Sequence, residues 1–136
     1  MVEFAVVLPL LLVVMLGMID FGRATFEAVE VESAAHAGAA YGARSKGLAA
    51  DKQGIEKAVL DDMGDEADTE SVGVVSERYC ECSDGSSIDC DAACPGGEAS
   101  NIYVRVRVGK SFVMLFDYPG VASDLQLRRE VHLRVR

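Results

Sequence analysis

Residues 1–20 read MVEFAVVLPLLLVVMLGMID: one carboxylate, Glu3, then an uninterrupted apolar run from Phe4 to Ile19, closed by Asp20. At a rise of ~1.5 Å per residue the run makes a helix of roughly 24 Å, slightly short of a hydrocarbon core of about 30 Å. It spans a bilayer with some thinning or snorkelling. Such a segment is a removable signal, a membrane anchor or the packing spine of an assembly. A secretory signal needs a positive n-region and a small-residue cleavage site. Here no Lys or Arg precedes the run, and Asp20-Phe21-Gly22-Arg23 is not such a site. From Thr25 to Arg44 the chain continues in strong helix formers with surface acids and no proline. One helix is therefore expected, apolar in its first half and amphipathic in its second, with Gly47 as its first stop.

Gly17, Gly22, Gly38 and Gly42, with many alanines between them, make this helix unusually small-sided. Alanine is there for propensity alone, but glycine costs about 1 kcal/mol against alanine in a helix interior. The glycines therefore point to close packing or to local melting, and the helix is expected to pack on its own kind through its glycine and alanine face. Pro9 removes a backbone donor and predicts a bent or melted turn around residues 5–9.

Val2-Glu3-Phe4-Ala5, Leu8-Pro9, Gly17-Met18-Ile19-Asp20-Phe21-Gly22-Arg23 and the box from Ala34 to Arg44, which ends Tyr41-Gly42-Ala43-Arg44, stand in a specific order and spacing. Together they resemble the N-terminal signature of TadE-like pilins, the pilins and pseudopilins of Tad (Flp) tight-adherence pili. The resemblance covers about the first third of the chain; the remainder is similar to the family only in layout. It implies a helix held in the bacterial inner membrane before assembly, then bundled with copies of itself or related pilins in a helical filament at the cell surface. The pilus assembly machinery and a prepilin peptidase are its implied partners. Family precursors carry a basic leader and a glycine at the cleavage point, with the glutamate a few residues inside the mature end. Neither precedes Glu3 here, as expected of a mature or trimmed form, or of a start codon chosen too far downstream.

Past this helix, assigned to residues 1–47, residues 48–136 suffice for one small α+β domain with a thin core. The net charge of -9 argues against nucleic acid as a partner. Its distribution is uneven. From Asp51 to Glu98 the only cations are Lys52, Lys57 and Arg78 among many acids, whereas from Ser100 onward the only acids are Asp117, Asp124 and Glu130. Solvated surface accounts for such charge, but in a repeating assembly opposite patches on successive subunits also set register.

Asp51 is placed to cap a short helix whose stripe, Ile55, Val59 and Met63, should pack on a sheet and whose end is Gly64. Three strands are expected, at Thr69 to Tyr79, Asn101 to Phe112 and Asp124 to Arg136, forming an antiparallel sheet. Val104, Val106 and Val108 alternate with Tyr103, Arg105 and Arg107 in the second; Leu125, Leu127, Val131, Leu133 and Val135 share a face in the third, interrupted by Arg129. The connection Val113 to Gly120 is apolar for a loop, which marks either a core lid or a contact surface.

Cys80, Cys82, Cys90 and Cys94 fall in the loop 80–97. Four cysteines so spaced suit two disulfides or a zinc site. An extracytoplasmic location favours disulfides, and C-x-C spacing is unusual for chelation. Three pairings are open, although Cys80 and Cys82 point to opposite faces if the strand persists and so do not easily bond to each other. Asp84, Asp89 and Asp91 do not match a calcium loop, and His36 and His132 have no evident nucleophile or metal partner. No catalytic residue, metal ligand or cofactor is expected. The leading function is a structural pilus subunit in which Glu3, Pro9, Gly17, Gly22, Gly38 and Gly42 serve assembly. The alternative is a membrane-anchored extracytoplasmic binding module that does not polymerise.

Overall fold

A computed structural model of the chain describes residues 2–64, 71–116, 120 and 123–136, excluding the side chains of residues 2, 3 and 5. Helix α1 (Val2–Gly42) is followed by a single 3-10 turn at Leu48–Ala50 and helix α2 (Lys52–Met63). Among the described residues four strands follow: β1 (Val72–Glu81), β2 (Ser87–Ile88), β3 (Asn101–Val113) and β4 (Asp124–Arg134). They form one antiparallel sheet in the order β2-β1-β3-β4. The fold is α+β, with one strand more than the three expected.

The added strand is only two residues long, and propensity could not reveal it. Ser87 and Ile88 pair with Glu81 and Cys80 because a tight turn, with Gly85 at positive φ, folds the chain back on itself. In that turn the Gly85 N–H donates to the Cys82 carbonyl and the Cys82 N–H to Ser86. Strand β1 runs to Glu81, past the expected end at Tyr79; its expected start at residues 69–70 lies outside the described residues.

Helix α1 ends at Gly42, five residues before the expected stop at Gly47. Packing sets this end. A Cβ on Gly42 would come within 3.0 Å of a Val104 methyl, and the Ala43 carbonyl accepts from the Arg136 N–H beside the end of β4. The helix is also continuous through Pro9, with no melted turn. A proline forfeits one hydrogen bond, and the turns on either side keep theirs.

The inner face of the sheet reads as the alternation requires. Val104, Val106, Val108 and Phe112 of β3 are buried with Leu127 and Val131 of β4 against Val31, Ala34, Ala35 and Ala39 of α1. Arg129 interrupts that face because β4 is the edge strand, and its guanidinium reaches Glu32 on α1 at 3.6 Å. Asp51 caps α2, its carboxylate accepting from the Gly54 N–H (3.0 Å) and from the Tyr41 hydroxyl of α1 (3.1 Å). Gly64, at φ 76°, ends α2. The buried stripe Ile55, Val59 and Met63 packs first on α1 and only at its flank on β1. The reason is Gly38, where a Cβ would fall 2.5 Å from a Val59 methyl and 3.3 Å from one of Ile55. The absent side chain is the socket into which α2 fits.

The four cysteines form two disulfides, Cys80–Cys90 and Cys82–Cys94, so their sulfurs are not zinc ligands. Both tie the end of β1 to the polar loop after β2, with Cys80, Cys82 and Cys94 buried.

Gly38→Leu is expected to destabilise the detergent-solubilised chain by about 1–3 kcal/mol or more through overpacking at this crossing. Thermal unfolding followed by circular dichroism measures it; an unchanged transition would contradict the socket. Reduction of both disulfides is expected to cost ~2–5 kcal/mol. Chemical unfolding with and without reductant, monitored on the near-ultraviolet tyrosine signal, provides the comparison.

Candidate functional site

Helix α1 has two environments. From Phe4 to Ile19 nearly every large side chain is exposed, Phe4 at 81 % and Met18 at 68 %. The helix from Val6 onward is long and apolar enough to cross a membrane, with a mean hydropathy of 2.0 over an 18-residue window only 6 % buried. A core helix of a soluble protein would be mostly covered, and this half is bare on all sides. From Ala24 onward one face of the same helix is packed on the sheet and α2, while Phe26 and Val29 remain exposed on the other.

The boundary is marked by Asp20, buried to 4 % exposure. Its carboxylate accepts from the Leu115 backbone N–H at 3.2 Å and lies 3.7 Å from the Arg23 guanidinium. That guanidinium also stands over the Phe112 ring, 5.3 Å from its centroid. The expected apolar connection after β3 is thus tied by Leu115 to the level of the helix where the bare half begins. Leu115 and Phe116 stay exposed there; residues 117–119 of the connection lie outside the described residues. Gly17, Phe21, Ala24, Met114, Leu125 and Leu127 line an apolar cleft of about 430 Å³ at the same level.

Asp20 did not emerge from the sequence as a site residue. Its signal was an acid ending an apolar run inside a continuing helix, with Arg23 one turn on. In a hydrogen-bonding geometry a buried carboxylate is tolerated, and removing it would leave the Leu115 donor unpaired.

The residues expected to serve assembly separate into groups. Gly38 and Gly42 face Ile55, Val59 and Val104 of the same chain, so the close approach they permit is intramolecular. Gly17 and Gly22 have nothing within 4 Å of a built Cβ, leaving their side of the helix open. Pro9 lies in the bare half and is exposed. Glu3 lies in the first turn of α1, with its side chain outside the described residues. The cysteines are gathered at the opposite end of the sheet from Asp20, beside the pair Cys80 and Ile102.

Residues 1–40 match the TadE-like protein family. Neither a curated protein nor a solved structure matches the chain. The TadE-like segment contains the whole bare half of α1, the Asp20 boundary and most of the packed half. Together the match and the exposed apolar helix fit a membrane-anchored, pilus-associated protein, and TadE-like proteins are a structural family rather than an enzymatic one.

A second clamp holds α1 to the sheet. Lys110 of β3 lies on the inner face among apolar neighbours and reaches Glu27 and, at 3.4 Å, Glu30 of α1. Desolvation pulls the Lys110 pKa down, but its contacts with the two glutamates outweigh that, and the ammonium is held above its ordinary value. A pKa raised on folding stabilises the fold at pH below the unfolded value, and that stabilisation is lost as pH climbs through the raised one. Melting temperature is therefore expected to fall above the ordinary lysine range, near pH 10.5. Lys110→Met is expected to cost about 1 kcal/mol at neutral pH, a partly exposed pair being screened, and to flatten the alkaline decline. Melting curves of both chains from pH 7 to about 11.5 test the assignment; equal alkaline declines would refute it.

Proposed function

We propose that this chain is a structural subunit of a Tad-type pilus, major or minor. It is held in the inner membrane by the first half of α1 and afterwards packed by the same half into a helical filament at the cell surface. The observation that carries the reading is the bare half of α1, held as one continuous helix with a half that is clamped to a disulfide-braced sheet. A plain anchor tolerates large side chains throughout. Gly17 and Gly22 instead leave the helix backbone open to a neighbour, which supports close helix–helix packing.

In this reading Glu3 is an assembly residue. A carboxylate beside hydrocarbon is costly without a partner, and the N-terminal amine of the same or a neighbouring subunit supplies one. Prepilin peptidase and the pilus assembly machinery act before the filament forms. The two disulfides suit an extracytoplasmic sheet.

Gly22→Leu separates assembly from folding, because the site is open within the chain. It is expected to leave membrane insertion and melting unchanged while overpacking the filament by ~1–3 kcal/mol in every subunit, abolishing piliation. Glu3→Ala is likewise expected to insert normally and to be poorly incorporated. Shearing cells and blotting the filament fraction checks both. Wild-type filament yield from both variants would favour the anchored binding module that does not polymerise.

A further inference from the structure

The sheet face turned away from α1 is open, and its charge is uneven. Across it Val75, Arg107 and Glu130 form one row, Gly73, Gly109 and Arg128 the next, and Ser111 with Gln126 the one after. Two glycines side by side leave the strand backbones bare at the floor of a cleft of about 640 Å³. The stem of Arg128 passes beside the gap, its Cγ 3.8 Å from a Cβ built on Gly109. Arg107 is held by Glu130, whereas the Arg128 guanidinium has no partner among the described residues.

The complementary charge is at the other end of the same sheet. Between Cys80 and Glu98 the chain has Glu81, Asp84, Asp89, Asp91 and Glu98 and no cation. Ser86 engages Asp84, and Glu98 bonds Ser83. Asp89 and Asp91 have no side-chain partner among the described residues, and both are exposed. Two disulfides hold this loop rigid.

Along β1, Gly73 and Cys80 are seven residues apart in an unbroken strand, or roughly 23 Å at ~3.3 Å per residue. The loop of one chain therefore cannot reach its own cleft. The cleft lies toward the Asp20 level of α1 and the loop toward its Gly42 end, where Arg136 bonds Ala43. Two different complementary patches at opposite ends of a rigid unit join copies heterologously, and such contacts propagate into rings or open filaments.

We propose that the cleft over Gly73 and Gly109 receives the disulfide-braced acidic loop of a second copy, with Arg128 taking the Asp89 and Asp91 carboxylates. This rests on the assembly reading and adds a longitudinal contact to the helix core. Such pairing sets register between neighbours as well as contributing affinity.

Charge reversal tests it in the full chain, in cells. Arg128→Asp alone, and Asp89→Arg with Asp91→Arg, are each expected to lower sheared filament yield about ten-fold. The chain with all three changes is expected to recover to near wild-type yield, since every subunit then carries both swapped patches. Non-reducing gels and melting in detergent confirm that each variant is folded with its disulfides intact. Wild-type yield from both partial variants, or no recovery in the combined one, would overturn the docking while leaving the assembly reading in place. Absence of filaments from the wild-type chain would overturn both. Binding of the wild-type protein to polygalacturonate, lost in Arg128→Asp without change in filament yield, would make the cleft a site for acidic glycans and also overturn the proposal.

Discussion

Everything in this structure depends on how closely α1 approaches the elements behind it, and two absent side chains determine that approach. At Gly38 the helix meets Val59 and Ile55 of α2, and at Gly42 it meets Val104 of the central strand β3. Any side chain at these positions would push α2 or the sheet outward, and the small core of Val31, Ala34, Ala35 and Ala39 could not fill the gap. A domain this small has little apolar area to spare, and such displacement costs a large part of a marginal stability.

Polar groups supplement that contact where apolar area is scarce. Asp20 and Lys110 are both set in largely apolar surroundings, and each joins α1 to the β3 side of the sheet. Asp51 joins the two helices through the Tyr41 hydroxyl while capping α2. The apolar half of α1 takes no part in this network. One helix thus has a bare half and a packed half, with the change marked by the buried Asp20 carboxylate.

Much of this was legible in the sequence because it rests on local chemistry. The apolar run, the Asp51 cap, the stripe Ile55, Val59 and Met63, and the alternation through Val104, Val106 and Val108 each carry a period that one segment displays alone. What was not legible depends on distant residues. The end of α1 falls at Gly42 because Val104 and Arg136 are there. The strand Ser87–Ile88 exists through a turn rather than β propensity, and Arg129 is explained only once Glu32 lies beside it. Gly38 and Gly22 look alike in the sequence, yet one is an internal socket and the other is open. The cysteine spacing left three pairings, and only the folded loop selects between them.

The placement of the Asp20, Lys110, Gly38 and Gly42 contacts has a mechanical consequence. They are spread along more than twenty residues of α1, all between the same helix and the same body. Tension applied along the helix axis therefore loads them together, in shear, and the load is shared. A force that peeled β4 away from its edge would instead meet β3–β4 hydrogen bonds in succession. The chain is stiff in the direction in which a helix drawn out of a bilayer would be pulled, and weakest across its sheet edge.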